Sequence, residues 1–329
     1  MNFKRIFLRC LLFYYCINNA TFSHQWQLMQ TEYKQLIKKL EQQHLSNLEN
    51  TYYHPYWQEQ KKLLNTILLG TPDHNCWRRN PISGSMVCAG YSHYQQYELD
   101  YLQSCLSEKT AAQIFSYRDT QFPGLSFECK ELNCSSNTLV HLYYTAHILE
   151  KAPHPNHIVE FGGGYGNLAR IFKHINPKAT IVIIDLPELI ALQYLFLSTT
   201  LDNTPIYIHA TTPKEYIQGA IHLIPIHLLD TLSLTTDLFV STFALSETPT
   251  IVQKKIIEKK FFGATSIYMT GQIDGWYPCS QFENHQLLQH AIRNVYSHVS
   301  TNLFHRSFNS TLKSYEIIAF NNTGPSGGN

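Results

Sequence analysis

His157-Ile-Val-Glu-Phe-Gly-Gly-Gly-Tyr-Gly-Asn-Leu-Ala-Arg170, followed by Thr180-Ile-Val-Ile-Ile-Asp185, is the stretch that decides the fold of this chain. The apolar run from Ile158 to Phe161 predicts a short buried strand, and a glycine-rich turn follows it. From Asn167 to Ile175 the apolar residues recur at helical spacing, which predicts a helix. A second apolar strand then ends on a lone acid. Together these elements indicate the first βαβ unit of a nucleotide-binding sheet.

Two features of this unit concern a ligand directly. The glycines at positions 162, 163, 164 and 166 let the backbone turn tightly and approach a ligand without clashes from Cβ atoms. Asp185 ends the second strand at the place where such folds hold a ribose. Because Gly164-x-Gly166-x-x-Ala169 also satisfies the loose dinucleotide pattern, an NAD-type oxidoreductase is one interpretation of the unit.

Glu160 favours a different nucleotide. It lies at the carboxyl end of the first predicted strand and faces the crevice in which open α/β sheets bind their ligands. A carboxylate there repels the pyrophosphate of NAD, whereas it attracts the ammonium and sulfonium charges of S-adenosylmethionine. The pattern Glu160-x-Gly162-x-Gly164-x-Gly166 therefore favours the methyl donor.

Three segments together resemble a known superfamily. Glu160-Phe-Gly-Gly-Gly-Tyr-Gly166, Ile184-Asp-Leu-Pro-Glu188 and Ser241-Thr-Phe-Ala-Leu-Ser-Glu-Thr-Pro249 look like the class I S-adenosylmethionine-dependent methyltransferases. More narrowly, with Ser135-Ser-Asn-Thr-Leu-Val-His-Leu-Tyr-Tyr144 added, they resemble a bacterial family of sugar O-methyltransferases. The resemblance implies a Rossmann-like doubly wound α/β sheet of the seven-stranded type. It also implies methyl transfer to a hydroxyl of a sugar or glycan acceptor. A non-catalytic protein that keeps the nucleotide pocket is the other alternative.

The motif and the resemblance predict a set of residues that bind S-adenosylmethionine. Within it, Tyr165 is expected to cover the donor rather than to react. The set comprises Glu160, Gly162, Gly163, Gly164, Tyr165, Gly166, Asp185 and Leu186.

Catalysis of such a reaction is mostly alignment of the acceptor oxygen with the methyl group, but sugar hydroxyls also need a base. Glu247 is the first candidate because it follows a predicted strand by a few residues, and its alternative role is that of a helix-dipole partner. His209 and His305 are weaker candidates. Gln272, Asp274 and Trp276 are candidate acceptor contacts. No spacing of Asp, Glu and His compels a metal, and metal dependence stays open.

Composition excludes some classes of partner. The chain has 329 residues, a net charge of +1 and 15% charged residues, so no basic patch argues for nucleic acid. Its eight cysteines show no zinc spacing. An oxidising compartment would allow a bridge between Cys129 and Cys134 or between Cys76 and Cys88, although scattered reduced thiols are the simpler interpretation. A small-molecule or glycan acceptor is the expected partner, and the oligomeric state is open.

The N-terminus has two interpretations. Residues 1–23 have basic, apolar and polar parts in the order of a secretory signal, but the apolar part is short. Export would also separate the enzyme from a donor made in the cytosol. We therefore expect a cytoplasmic protein whose N-terminus makes weak membrane contact, with export as the alternative.

Four regions are expected along the chain: the signal-like segment at residues 1–23, a helical lid over the acceptor at 24–152, the Rossmann-like domain at 153–322 and a disordered tail at 323–329. In the third region, Pro205–His209 predicts a third strand and Asp237–Thr242 a fourth. Thr212-Pro-Lys-Glu215 has the form of a helix-capping box. Two strands near the end predict the terminal antiparallel pair typical of methyltransferases.

Overall fold

The computed structural model describes residues 3–43, 52, 55–71, 95–119, 129–152, 154–273, 284–305 and 313–321. The strands are β1 His157–Phe161, β2 Thr180–Asp185, β3 Ile206–Ile208, β4 Ile221–Pro225, β5 Leu238–Thr242, β6 Ser266–Gln272, β7 His298–His305 and β8 Lys313–Phe320. They form one sheet in the order β3-β4-β2-β1-β5-β6-β8-β7. The first six in this order run parallel, and β8 is antiparallel to both β6 and β7. The sheet is therefore of the predicted Rossmann-like, class I methyltransferase type.

Helices cover both faces of this sheet. They are α1 Phe3–Gln42, α2 Pro55–Leu68, α3 Gln95–Ser104, α4 Glu108–Ser116, α5 Ser136–Lys151, α6 Asn167–Ile175, α7 Pro187–Thr200, α8 Thr250–Glu258 and α9 Asn284–Val295. Because parallel crossovers are right-handed, α6 and α7 lie on one face and α8 on the other. Helix α5 packs beside α6, and α9 packs beside α8.

The βαβ unit is the best-predicted part of the fold. Helix α6 and strand β2 have the bounds that the sequence pattern predicts. Strand β1 lies in the middle of the sheet, between β2 and β5, and four of its five residues are buried. Buried on both faces, a central parallel strand needs the continuous apolar run that Ile158 to Phe161 supplies, with Glu160 as the exception.

The region after α7 differs from the prediction. Ile221–Pro225 is a strand that the sequence analysis missed, so the segment predicted as the fourth strand is the fifth. The predicted capping box at 212–215 opens no helix. Because of this additional strand, the sheet has eight strands instead of the predicted seven.

Helix α1 crosses the boundary expected at residue 23. It is one continuous helix of 40 residues, and from Phe22 onward one side of it is buried. The buried residues are Phe22, Trp26, Met29, Tyr33, Leu36 and Leu40, which follow helical spacing. They pack against α7, so this part of the helix belongs to the core of the fold. Among the described helices none is long and apolar enough to cross a membrane.

Helix α5 begins beside the two cysteines singled out in the sequence. Cys129 and Cys134 pair across a tight hairpin through reciprocal backbone hydrogen bonds of 3.0 and 3.1 Å, and no disulfide joins them. Ser135 caps the helix by accepting from the backbone N–H of Thr138. The expected tail at 323–329 lies outside the described residues.

Replacing Trp26 by Ala tests whether α1 belongs to the core. The indole is 1% exposed and its N–H donates to the carbonyl of Gly70 at 3.3 Å, so α1 is joined to the end of α2. We expect a loss of about 3 to 5 kcal/mol in the free energy of unfolding, measured in urea. Leu28→Ala is the control, because Leu28 is 38% exposed and the change should stay within about 0.5 kcal/mol. Equal losses in the two variants would contradict the packing.

Candidate cofactor and active site

The glycine turn after β1 has a geometry that only glycine satisfies at two of its positions. Gly162 has a φ of +77°, and a Cβ on it would lie 1.9 Å from the Cβ of Ala244. Gly166 has a φ of +96° and lies against the side chain of Leu197. Gly164 also has a positive φ, of +57°, but no atom lies within 4 Å of the place of its Cβ. A Cβ on Gly163 would lie 2.7 Å from Ile183 Cγ2, so the backbone of the turn is closely packed at Gly162, Gly163 and Gly166 and open at Gly164.

Glu160 lies directly beneath this turn. Its carboxyl carbon is 3.5 Å from where a Cβ of Gly163 would be, and the residue is 2% exposed. Within the described parts of the chain it has neither an ion pair nor a hydrogen bond through its side chain. Burial, with a further contribution from the negative charge of Asp185, raises the pKa of Glu160 to about 8. This carboxyl group therefore lies in the crevice without a compensating charge.

Asp185 lies on the neighbouring strand and points to the same face of the sheet, because Glu160 pairs with Ile183 in the β1–β2 register. Its carboxylate accepts from the backbone N–H of Leu186 at 2.8 Å and from Gln193 Nε2 at 2.7 Å. Burial nevertheless raises the pKa of Asp185 to about 7. The backbone N–H groups of Leu186, Gly163 and Gly164 and the Gln193 amide lower the pKa and oppose that shift.

Gln193 is a site residue that the sequence analysis missed. Besides Asp185, its amide nitrogen donates to the carbonyl of Gly164 at 3.1 Å, which ties the turn to β2. It is fully buried in α7. The available signal was a polar residue inside the apolar run Leu189-Ile-Ala-Leu-Gln-Tyr-Leu-Phe-Leu197.

Tyr165 differs from its expected role. Its side chain is 2% exposed, with the ring against Phe196 and the hydroxyl donating to Asn137 Oδ1 at 3.0 Å. Nearby, the amide nitrogen of Asn167 lies 3.1 Å from His141 Nδ1. The Tyr165 ring therefore fastens the turn to α5 and α7, which is a packing role that the sequence analysis did not predict.

Glu247 lies on a short 3-10 helix, Ala244–Glu247, that follows β5 and crosses the glycine turn at Ala244. Its side chain is partly exposed. Burial raises the pKa of Glu247 to about 7, and the charge of Asp185 raises it further. The loop is held by Ser241 Oγ, which accepts from the N–H of Leu245, and by Gln253, which donates to the Leu245 carbonyl. The structure thus brings three acids, Glu160, Asp185 and Glu247, to the carboxyl ends of the central strands. We call these three residues the acidic cleft.

The strands that precede or carry the two candidate histidines lie at the edges of the sheet, away from this cleft. His209 follows the edge strand β3, which β4 and β2 separate from β1. Its Nε2 lies 2.9 Å from His222 Nδ1, and burial, with His222 beside it, lowers the pKa of His209 to about 4. This contact gives His209 a structural role at the sheet edge and makes it a poor base. His305 ends the other edge strand, β7, where it pairs with Lys313; its side chain lies outside the described residues.

The remaining predictions have mixed outcomes. Gln272 ends β6, and its backbone N–H donates to Ser246 Oγ at 3.4 Å, so it lies beside the loop that bears Glu247. Asp274 and Trp276 lie outside the described residues. In the described ranges no three His, Cys, Asp or Glu side chains are grouped so that they could hold a metal ion.

Comparisons with known proteins give solved structures only. No protein-family model and no curated protein matches the sequence. Among solved structures, magnesium protoporphyrin IX methyltransferase from Synechocystis PCC 6803 with bound SAM is 10% identical, with 69% of this chain and 96% of that one covered and a TM-score of 0.41. A Haemonchus contortus phosphoethanolamine N-methyltransferase in complex with S-adenosylhomocysteine is 9% identical, covering 54% of this chain and 52% of that one, with a TM-score of 0.40. A Geobacter metallireducens precorrin-6y C5,15-methyltransferase is 11% identical, covering 60% and 93%, with a TM-score of 0.36. At sequence identities this low, only the residues of the site support an inference about function.

The glycine turn predicts a difference between two Ala substitutions. Gly162→Ala combines a positive φ with a clash against Ala244, so we expect it to unfold the chain or to lower its melting temperature severely. Gly164→Ala meets no neighbour and should cost only about 1 to 2 kcal/mol for the left-handed conformation. Circular dichroism melts of both variants provide the measurement. Similar melting temperatures would show that Ala244 does not pack against the turn.

The raised pKa values predict how the stability of the free protein depends on pH. A carboxyl group whose pKa is higher in the folded chain stabilises the fold below its ordinary pKa, and that contribution is lost as the pH rises through the folded value. For Glu160 the window runs from its ordinary pKa of 4.5 to about 8. Across it we expect the free energy of unfolding to fall by up to about 1.4 kcal/mol per pH unit relative to Glu160→Gln. Urea unfolding of both proteins from pH 5 to 8 measures this, and parallel pH profiles would contradict a buried, unpaired Glu160.

Proposed function

We propose that this protein is an S-adenosylmethionine-dependent O-methyltransferase that acts on a hydroxyl of a sugar or glycan acceptor. The observation that supports this most is Glu160, a buried carboxyl group without a compensating charge beneath a glycine turn. A cationic ligand would supply the charge that this group lacks, and it would favour the ionised carboxylate. The pyrophosphate of a dinucleotide would instead be repelled by the ionised carboxylates of Glu160 and Asp185.

The residues present fit the methyl donor. The open backbone at Gly164 would admit a ligand against the turn, and Asp185, at the end of β2, lies where open α/β sheets place the acid that binds ribose hydroxyls. Glu160 would face the positively charged amino acid part. When bound, the donor supplies an activated methyl group on a sulfonium. The side chains of the chain then have to hold an acceptor oxygen in line with it and remove the proton of that oxygen.

Glu247 is the group proposed to take that proton. A general base works best when its pKa is near the working pH, and burial raises the pKa of Glu247 to about 7. Its partly exposed position after β5 lies at the edge where ligands meet open α/β sheets. Gln253 and Ser241 hold its loop, so the carboxylate is positioned before an acceptor arrives.

Calorimetry with S-adenosylmethionine and with NAD tests the donor. We expect binding of the first and not of the second, with an affinity that Glu160→Gln weakens at least about tenfold, or 1.4 kcal/mol. Glu215→Gln, at an exposed acid, is the matched control and should change nothing. Binding of NAD without binding of S-adenosylmethionine would instead favour the oxidoreductase.

A variant of Glu247 separates an enzyme from a non-catalytic binding protein. Glu247→Gln should keep the affinity for the donor and lower methyl transfer by about 10²- to 10⁴-fold. The readout is the gain of one methyl unit in glycans, followed by mass spectrometry in cells with and without the protein. Donor binding without a methylated product from the unmodified protein would reject catalysis.

A further inference from the structure

A second group of polar residues lies on the sheet, two strands away from the glycine turn. On β6, Thr270 and Gln272 share a face, because side chains alternate along a strand. Their register partners on β8 are Glu316 and Ser314, which therefore point to the same face. Helix α5 covers this face with His147, whose Nδ1 lies 3.7 Å from Glu316 Oε1. We call these five residues the polar trench.

Four atoms of the polar trench are buried and make no hydrogen bond in the described chain. They are Thr270 Oγ1, Gln272 Oε1, Ser314 Oγ and His147 Nε2. Thr270 and Ser314 are each 1% exposed, so these hydroxyls are not surface groups. A buried polar atom left unpaired costs about 1 to 3 kcal/mol, and native proteins seldom keep several together. Such a concentration therefore points to a ligand that completes their hydrogen bonds.

The floor of the polar trench is fixed in place. Glu316 is 3% exposed and accepts from the hydroxyl of Tyr268 at 2.6 Å and from Asn302 Nδ2 at 3.2 Å. The Tyr101 ring stacks on the ring of His147 with the centroids 4.2 Å apart. The carboxylate and the imidazole are thus held by neighbours, while Thr270, Ser314 and the free edge of His147 keep unused capacity.

The polar trench adjoins the acidic cleft. Glu160 pairs with Val240 of β5, and Val240 pairs with Tyr268 of β6, so Glu160 and the trench share one face of the sheet. Strands β1 and β6 are two strand spacings, or about 10 Å, apart. Gln272 touches the loop of Glu247 through its hydrogen bond to Ser246.

We propose that the polar trench binds the ring hydroxyls of a neutral polyhydroxylated acceptor; this assignment rests on the proposed methyl transfer. Hydroxyls both donate and accept, which matches two hydroxyls, an amide oxygen and an imidazole nitrogen. No Lys or Arg belongs to the trench, and Glu316, with Glu247 nearby, opposes phosphate and carboxylate groups. The site therefore selects unphosphorylated, non-acidic rings.

Saturation-transfer NMR on the full chain in the presence of S-adenosylhomocysteine tests this assignment. The probes are the methyl glycosides of glucose, galactose and mannose, glucose 6-phosphate and glucuronate. We expect signals from at least one neutral glycoside and none from the two anions. Thr270→Val and Ser314→Ala should each weaken the affinity for that glycoside about tenfold, while calorimetry shows unchanged affinity for S-adenosylhomocysteine.

Thr301→Val is the matched control. Thr301 Oγ1 is also buried and unpaired, but Thr301 pairs with Ile317 and so points to the opposite face. This variant should bind the glycoside as the unmodified protein does. Two trench variants, checked by melting, keep the test valid if one of them fails to fold.

The outcomes distinguish the trench from the proposed function. Preferred binding of glucose 6-phosphate or glucuronate, binding of no neutral glycoside, or equal losses in Thr301→Val and Thr270→Val would each overturn the trench assignment. A chain that binds the glycoside through Thr270 and Ser314 but binds neither S-adenosylmethionine nor its product would refute methyl transfer and leave the trench as a sugar site.

Discussion

The site depends on two carboxyl groups that the fold buries away from water, those of Glu160 and Asp185. Both end parallel strands in the middle of the sheet, and the negative charge of Asp185 adds to the cost of ionising Glu160. The protein reduces this cost for Asp185 only, through Leu186 and Gln193. Because ionising Glu160 is costly in the free chain, a cation bound beside it would lower that cost, and the proposed binding of a positively charged methyl donor rests on this effect.

The central part of this arrangement could be predicted from the sequence because its signals are local. A glycine turn between an apolar strand and an amphipathic helix needs no distant partner to be recognised, so α6 and β2 were predicted with their true bounds. Glu247 was chosen as the candidate base because it follows a predicted strand by a few residues, and the structure brings it near Asp185.

The parts that were missed depend on contacts between distant segments. Ile221–Pro225 is a short apolar run whose strand character comes from pairing with β2 and β3, which no local pattern reveals. Gln193 and Glu316 gain their roles from residues far away in the sequence, although each is a polar residue in an apolar element. Helix α1 combined a signal-like first part with a packing face that only α7 explains. The sequence therefore predicts the elements better than it predicts which side chains meet.

Phe243, where the loop bearing Glu247 leaves β5, has a φ of +66°, a conformation that costs a residue with a side chain about 1 to 3 kcal/mol. Its N–H donates to the Thr270 carbonyl at 2.8 Å and its carbonyl accepts from Ser246 at 2.6 Å, so the bend is imposed by the sheet. The strained bend at Phe243 therefore lowers the thermal stability of the fold, and it fixes the direction of the Glu247 carboxylate before any substrate binds. Homologues adapted to higher temperature have a simple route at this position, since glycine would relax the bend, but the loop would then lose part of its fixed direction.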